Sequence, residues 1–135
     1  MDKAKVITRI YPPLANRIIT PIVLVNPLTQ ETFETNALWD TGATSSAIST
    51  VAVKYLQLKR VGKVIASGLF KSKRVNQYFV KACIDSNINQ MLLVSAFEDS
   101  SIEGVDCILG MDLILEGEFN ISNTKEGILF TFKLK

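Results

Sequence analysis

The segment LWDTGATSSAIS, residues 38–49, runs an apolar strand into an aspartate and then into a series of small residues. Asp40 comes directly after the apolar run 37–39, and Thr41 and Gly42 follow it. Asp-x-Gly sequences are common in turns, so the triplet by itself favours a hairpin turn. The competing interpretation is a reactive carboxylate that the strand delivers to a place where water can reach it. Features elsewhere in the chain decide between the two.

Short β-branched and aromatic runs separated by turn residues predict an all-β fold, with one domain over residues 1–135. We expect strands at 5–11, 17–25, 31–39, 62–70, 75–84, 90–97, 105–109, 118–122 and 127–135. Two short helices are expected at 49–58, capped by Ser49 or Thr50, and at 111–115. The polar, basic segment 71–74 would form the tip of a long hairpin. Pro21 predicts an unpaired edge or a bulge, because proline has no N–H for a ladder.

Composition excludes several classes of function. The chain has no histidine, which excludes Ser-His and Cys-His catalytic pairs and histidine-ligated zinc. It has no glycine-rich nucleotide loop, and we expect neither a cofactor nor a metal. No apolar run approaches the ~20 residues that span a bilayer, and the N-terminal segment lacks the features of a signal peptide. We therefore expect a cytoplasmic protein with no membrane partner. Cys83 and Cys107, both in apolar settings, are expected to be buried, reduced thiols.

Charge is distributed unevenly along the chain. The segment 54–84 contains basic residues and no acidic residue, whereas every charged residue from Asp85 to Glu118 is acidic. A basic stripe can bind nucleic acid. Here no aromatic platform or recognition helix accompanies it, so a solvated basic face is favoured and no nucleic-acid partner is expected. A nucleic-acid-binding β domain remains the weakest alternative.

A second motif changes the interpretation of Asp40. Together with ALWDTGATSS (37–46), the sequence CILGMD (107–112) resembles the retropepsin-like aspartic proteases. The first motif of that family carries the catalytic aspartate, and the second braces the catalytic loop with two hydrophobic residues and a glycine. The resemblance covers nearly the whole chain and implies a closed or partly closed acid-protease β-barrel. It implies catalytic roles for Asp40, Thr41 and Gly42, and structural support of their loop by Ile108, Leu109 and Gly110.

The resemblance also implies where a substrate would bind. The hairpin 62–84 would act as a flap over an extended peptide or protein substrate, which pairs through backbone hydrogen bonds. The implied substrate-binding residues are Ala43, Thr44, Ser67, Gly68, Leu69 and Phe70. Retroviral flaps contain several glycines, whereas this hairpin tip has only Gly68. Thr44 stands where retroviral enzymes usually have an acidic residue.

The chemistry of this family needs two carboxyl groups. Two such groups about 3 Å apart share one proton, so that one activates a water molecule and the other polarises a carbonyl group. The chain has one Asp-Thr-Gly and no second copy of it. The resemblance therefore implies a symmetric homodimer in which each chain supplies one Asp40. The alternative keeps the fold without catalysis, as a dimerisation or peptide-binding module.

The remaining polar residues near the two motifs receive structural interpretations. Asp106 is expected to be a hydrogen-bonding partner or a strand-end residue, and Asp112 a charge at the start of a helix. Ser45 and Ser46 have no base nearby in the sequence that could activate them. We therefore expect them to form turn or strand hydrogen bonds.

Overall fold

The computed structural model describes residues 5–67, 72–98 and 102–135. These residues contain ten strands and two short helices. In chain order they are β1 (Lys5–Tyr11), β2 (Ile19–Val25), β3 (Thr32–Trp39), β4 (Ala47–Ser49), α1 (Thr50–Leu56), β5 (Gly62–Ser67), β6 (Ser72–Ile84), β7 (Ile88–Phe97), β8 (Val105–Leu109), α2 (Met111–Ile114), β9 (Gly117–Thr124) and β10 (Gly127–Leu134). The prediction of an all-β fold with two short helices is confirmed.

Six of the described strands close into a barrel. Hydrogen-bonded neighbours follow the order β2, β3, β8, β4, β7 and β6, and β6 pairs with β2 again through Val23–Val25. The pairs β3–β8 and β4–β7 are parallel, and the other barrel pairs are antiparallel. The β2–β6 ladder does not reach Pro21, so this proline lies on an edge of β2 that is unpaired within the described residues. The expectation for Pro21 is confirmed.

A second, three-stranded sheet packs against the barrel in the order β1, β10, β9. Trp39 joins the two layers, because its ring lies 5.1 Å from that of Phe130 and 5.0 Å from that of Phe132. The indole Nε1 of Trp39 donates to Thr20 Oγ1 at 3.0 Å, which satisfies two buried polar groups. The residue before Asp40 is therefore anchored between the barrel and the second sheet.

Helix α1 is held against the β2–β3 hairpin. Ser49 is its N-cap and accepts from the backbone N–H of Ala52, so the first of the two predicted caps is confirmed. Asn26 Nδ2 donates to the carbonyl oxygen of Leu56 at 2.8 Å, which satisfies one of the open carbonyl groups at the end of the helix. No helix in the described residues is long and apolar enough to cross a membrane.

Three details differ from the sequence prediction. Strand β4 was missed, because three residues are too few to show an alternating pattern. Strand β6 begins at Ser72, so Lys73 and Arg74 continue the ladder with β5 and do not form the hairpin tip. Cys83 is only half-buried, whereas Cys107 is buried, and both thiols are free.

Candidate active site

Asp40 lies at the point where β3 leaves the barrel. The N–H of Trp39 donates to the carbonyl oxygen of Ile18, and the N–H of Asp40 donates to that of Leu109, both at 2.9 Å. The end of β3 is therefore held by the chain on both sides. Asp40 itself is half-buried, and Thr41 beside it is exposed. The strand thus delivers the carboxylate to the boundary between core and solvent.

The backbone of the next residues folds around the Asp40 carboxylate. Gly42 N–H donates to Asp40 Oδ1 at 2.9 Å, and Ala43 N–H donates to the carbonyl oxygen of Asp40 at 3.1 Å. A Cβ at position 42 would lie 3.2 Å from Asp40 Oδ1, so glycine permits this close approach. Among the described residues the carboxylate accepts no further hydrogen bond. One carboxylate oxygen is fixed by the loop, and the other remains available to a ligand.

Gly110 packs directly against the back of this loop. A Cβ at position 110 would lie 2.7 Å from the carbonyl oxygen of Ala43 and 2.9 Å from the carbonyl carbon and oxygen of Ser45. The N–H of Met111 donates to the same oxygen of Ala43 at 2.8 Å. The two sequence motifs are therefore in backbone contact, and any side chain at position 110 would push them apart.

Ser46 and Asp112 form a second connection between the motifs. Ser46 Oγ donates to Asp112 Oδ1 at 2.7 Å, and Ser46 N–H donates to Asp112 Oδ2 at 3.0 Å. Ser46 Oγ also accepts from the N–H of Gly110 at 3.0 Å. Sequence reasoning expected structural hydrogen bonds for Ser46, but it did not identify Asp112 as the partner. The two residues are 66 positions apart, and no local pattern indicates that they meet.

Asp106 is also occupied by structural contacts. Its Oδ1 accepts from Ser49 Oγ at 2.7 Å, and its Oδ2 accepts from Thr35 Oγ1 at 3.0 Å. This agrees with the expectation of a structural partner. Burial, together with the neighbouring Asp112 and Asp106 carboxylates, raises the pKa of the Cys107 thiol. No group of three or more Cys, Asp or Glu side chains that could hold a metal ion occurs within residues 5–67, 72–98 and 102–135.

An open cleft of about 330 Å³ adjoins Asp40. Asp40 and Thr41 line its polar part, and Phe119 and Ile121 of β9 line an apolar part. Sequence reasoning did not select either β9 residue, because an apolar side chain on a half-buried strand normally belongs to the core. Only the position of β9 beside the end of β3 reveals that these side chains face the candidate site.

The other candidates divide into two groups. Close to Asp40 the loop continues through half-buried Ala43 and exposed Thr44, while Leu109 and Gly110 are buried and Ile108 is half-buried behind them. In the flap candidate, Ser67 is the last residue of β5 and pairs with Ser72. The other predicted flap-tip residues, Gly68, Leu69 and Phe70, lie outside the described residues.

Comparison with solved structures identifies proteins that share this fold. The chain is similar to a retropepsin-like aspartic protease from Rickettsia conorii, with a TM-score of 0.59 and 14% identity over 100% of this chain and 98% of that chain. It is similar to the EIAV protease complexed with the inhibitor HBY-793 (TM-score 0.53, 19% identity, 76% of this chain and 88% of that chain). It is also similar to the retroviral protease-like domain of Ddi1 from Leishmania major (TM-score 0.51, 14% identity, 86% and 94%).

No protein-family model and no curated protein matches the sequence. At 14–19% identity, the similarities to solved structures establish the fold of the chain. The chain has the retropepsin fold, as its two motifs predicted.

Proposed function

We propose that this chain is an aspartic endopeptidase that hydrolyses peptide bonds as a homodimer, with Asp40 of each subunit forming the catalytic pair. The observation that carries the proposal is the Asp40 loop itself. A half-buried carboxylate stands at the rim of an open cleft, and the N–H of Gly42 orients one of its oxygens at 2.9 Å. The loop is braced from behind by Gly110, in a fold whose solved neighbours include proteins described as aspartic proteases.

The proposed reaction uses one proton shared between the two carboxyl groups. The ionised Asp40 takes a proton from a water molecule while the water oxygen forms a bond to the peptide carbonyl carbon. The protonated Asp40 of the partner subunit gives its proton to the carbonyl oxygen. The first Asp40 then gives the proton it took to the peptide nitrogen as the C–N bond breaks, and a hydroxyl of the tetrahedral intermediate returns a proton to the partner subunit's Asp40. The products are a carboxylic acid and an amine, and the two carboxyl groups again share one proton.

The neighbouring residues have supporting roles in this proposal. Gly42 keeps the carboxylate oriented, and exposed Thr41 is available to connect the loop with that of the partner subunit. Ala43 and Thr44 would contact the backbone of an extended peptide, and residues 67–70 would cover it as part of the flap. Residues 108–110 would keep the loop from moving as charge shifts between the carboxyl groups.

The test replaces Asp40 with asparagine, which has nearly the same shape and still accepts from Gly42 N–H. We expect Asp40→Asn to lower the cleavage rate of an unfolded protein substrate by roughly 10²–10⁴-fold or more, because general acid–base catalysis is lost. A statine-type transition-state mimic should inhibit the wild-type protein. The matched control is Asp85→Asn, because Asp85 is an exposed aspartate in a turn and its 4.0 Å contact with Arg9 is weak.

The assignment fails if Asp40→Asn cleaves as well as the wild type. If the wild-type protein binds the peptide but never cleaves it, the silent peptide-binding module replaces the protease.

A further inference from the structure

Another cavity, of about 330 Å³, lies between the turn that joins β2 to β3, the end of helix α1 and strand β6. It shares no lining residue with the cleft of Asp40. Its wall is mostly apolar and includes Leu28, Val61 and Phe79. Leu28 is 81% exposed, Val61 53% and Phe79 46%. Single exposed apolar side chains are normal on a protein surface, but several that converge on one concave place are typical of a binding site.

Hydrogen bonds fix the walls of this cavity. The buried side chain of Asn26 donates to the carbonyl oxygen of Leu56 and accepts from the N–H of Leu28 at 2.9 Å. One amide group thereby holds the β2–β3 turn against the end of α1. On the opposite wall, the N–H of Val61 donates to the carbonyl oxygen of Gln77 at 2.9 Å. The cavity is therefore already formed in the free protein, which lowers the entropy cost of binding a ligand there.

Three cationic side chains lie beside the apolar wall, and none of them forms an ion pair within the described residues. Lys59 lines the cavity itself. Val61 also lines an adjoining cavity of about 370 Å³, whose other lining residues include Arg60 and Lys63. No acidic residue of the described ranges lines either cavity. Unpaired cations around an apolar cavity indicate a ligand that is both apolar and anionic.

The apolar surface continues from the cavity across the outer face of β6 and β7. Phe79 faces Leu93 in the ladder between these strands, and Lys81 faces Met91. Residues two positions apart share a face of a strand, so these four side chains lie together. Leu93 is 40% exposed and Met91 50%. The site therefore combines a cavity for a bulky side chain with a neighbouring strip, apolar apart from Lys81, that can take further residues of a peptide.

We infer that this site binds a peptide segment of a partner protein, in which a bulky apolar side chain stands between acidic residues. The apolar side chain fills the cavity, whose volume is at the small end of the about 300–1,000 Å³ found for ligand pockets. The carboxylates face four cations, Lys59, Arg60, Lys63 and Lys81. Charge complementarity favours this ligand over a basic or neutral peptide. A flat bilayer surface cannot fill a concave site, and this favours a peptide over a membrane.

A labelled peptide tests the site on the full chain carrying Asp40→Asn, which keeps the peptide intact. The probe is fluorescein-labelled Glu-Asp-Leu-Phe-Glu-Asp, and its fluorescence anisotropy measures the dissociation constant. Leu28→Asp should weaken binding about tenfold or more, because it removes an apolar contact and adds a repelling carboxylate. Leu14→Asp is the matched control and should bind like the parent protein, because Leu14 is 96% exposed between β1 and β2 and does not line the cavity.

Charge reversal provides the second measurement. Lys59→Glu should weaken binding about threefold or more. Lys125→Glu makes the same change of charge in the turn between β9 and β10 and should have little effect. Raising the ionic strength from about 0.01 M to about 1 M should also weaken binding, because the Debye length falls from about 30 Å to about 3 Å. A control peptide with lysine in place of each acidic residue should bind far more weakly than the probe.

Equal affinity for the acidic and the lysine-substituted peptide, or no effect of Leu28→Asp, overturns the inference. It is also overturned if the protein binds phosphatidylserine vesicles through Leu28 and binds no peptide, which assigns the site to a membrane. A wild-type dimer that Leu28→Asp converts to a monomer, again without peptide binding, assigns the site to a second copy and overturns the inference as well.

These measurements are independent of the proposed hydrolysis, because the site lies outside the cleft of Asp40. A wild-type protein that cleaves protein substrates but does not bind the probe rejects this site and leaves the protease intact. Binding of the probe, weakened by Leu28→Asp, in a protein that never cleaves supports the site and rejects the protease.

Discussion

Replacement of Ser46 by alanine removes a single hydroxyl group but breaks two of the hydrogen bonds that connect the two motifs of the candidate site. Ser46 is fully buried, and its Oγ donates to Asp112 at 2.7 Å and accepts from Gly110 N–H at 3.0 Å. In Ser46→Ala both bonds are lost, and the N–H of Gly110 is left buried with no acceptor. We expect a loss of stability well above that of an ordinary surface substitution.

The magnitude follows from these two contacts. A buried N–H without a partner costs about 1–3 kcal/mol. The contact with Asp112 adds less, about 0.5–1 kcal/mol, because this carboxylate is exposed and water can replace the hydroxyl. The free energy of unfolding should therefore fall by about 1.5–4 kcal/mol, out of the roughly 5–15 kcal/mol that is typical of a whole domain. For a chain of this size the melting temperature should fall by roughly 5–14 °C.

Urea unfolding followed by tryptophan fluorescence measures this effect, because Trp39 is the one tryptophan and lies directly before the loop. Ser45→Ala is the matched control. Ser45 is exposed, and its side chain makes no hydrogen bond among the described residues, so its loss should change stability by less than about 0.5 kcal/mol. Ser46→Ala should also lower the cleavage rate more than Ser45→Ala does. Equal urea midpoints for the two variants would refute the reasoning.

Two further predictions concern the same part of the core. Gly110→Ala would put a Cβ 2.7 Å from the carbonyl oxygen of Ala43, so it should lower the free energy of unfolding, measured in urea, by about 1–3 kcal/mol. The control is Gly62→Ala, whose Cβ meets only the flexible end of Gln77 and which should unfold like the wild type. Burial raises the pKa of the Cys107 thiol in the folded protein, so the unfolded chain loses this proton at a lower pH than the folded protein does. The free energy of unfolding should therefore fall as the pH rises above about 8.5. Cys107→Ala should flatten this slope by up to about 1.4 kcal/mol per pH unit, and an unchanged slope would contradict the assignment.

The elements that were predictable from sequence are those with a regular local pattern. Strand β10 alternates buried and less buried residues along 130–134, and Ser49 is a typical N-cap, so both follow from neighbouring residues alone. The boundary of the flap strand at Ser72 did not follow, because the polar segment 71–74 is typical of a turn although Lys73 and Arg74 belong to the ladder. Pairing with β5 overrides local preference there.

The sequence by itself determined the chemistry that is possible at the site. A single Asp-Thr-Gly, no histidine and a hydrophobic-hydrophobic-glycine motif identified Asp40 as a candidate and implied that a second copy is needed. Tertiary structure alone decided which groups surround Asp40. The contact of Gly110 with the loop and the position of Ile121 at the cleft depend on the parallel pairing of β3 with β8 and on the packing of the second sheet. Such contacts join residues that are far apart in the chain, where local propensity and periodicity carry no information about which strands become neighbours.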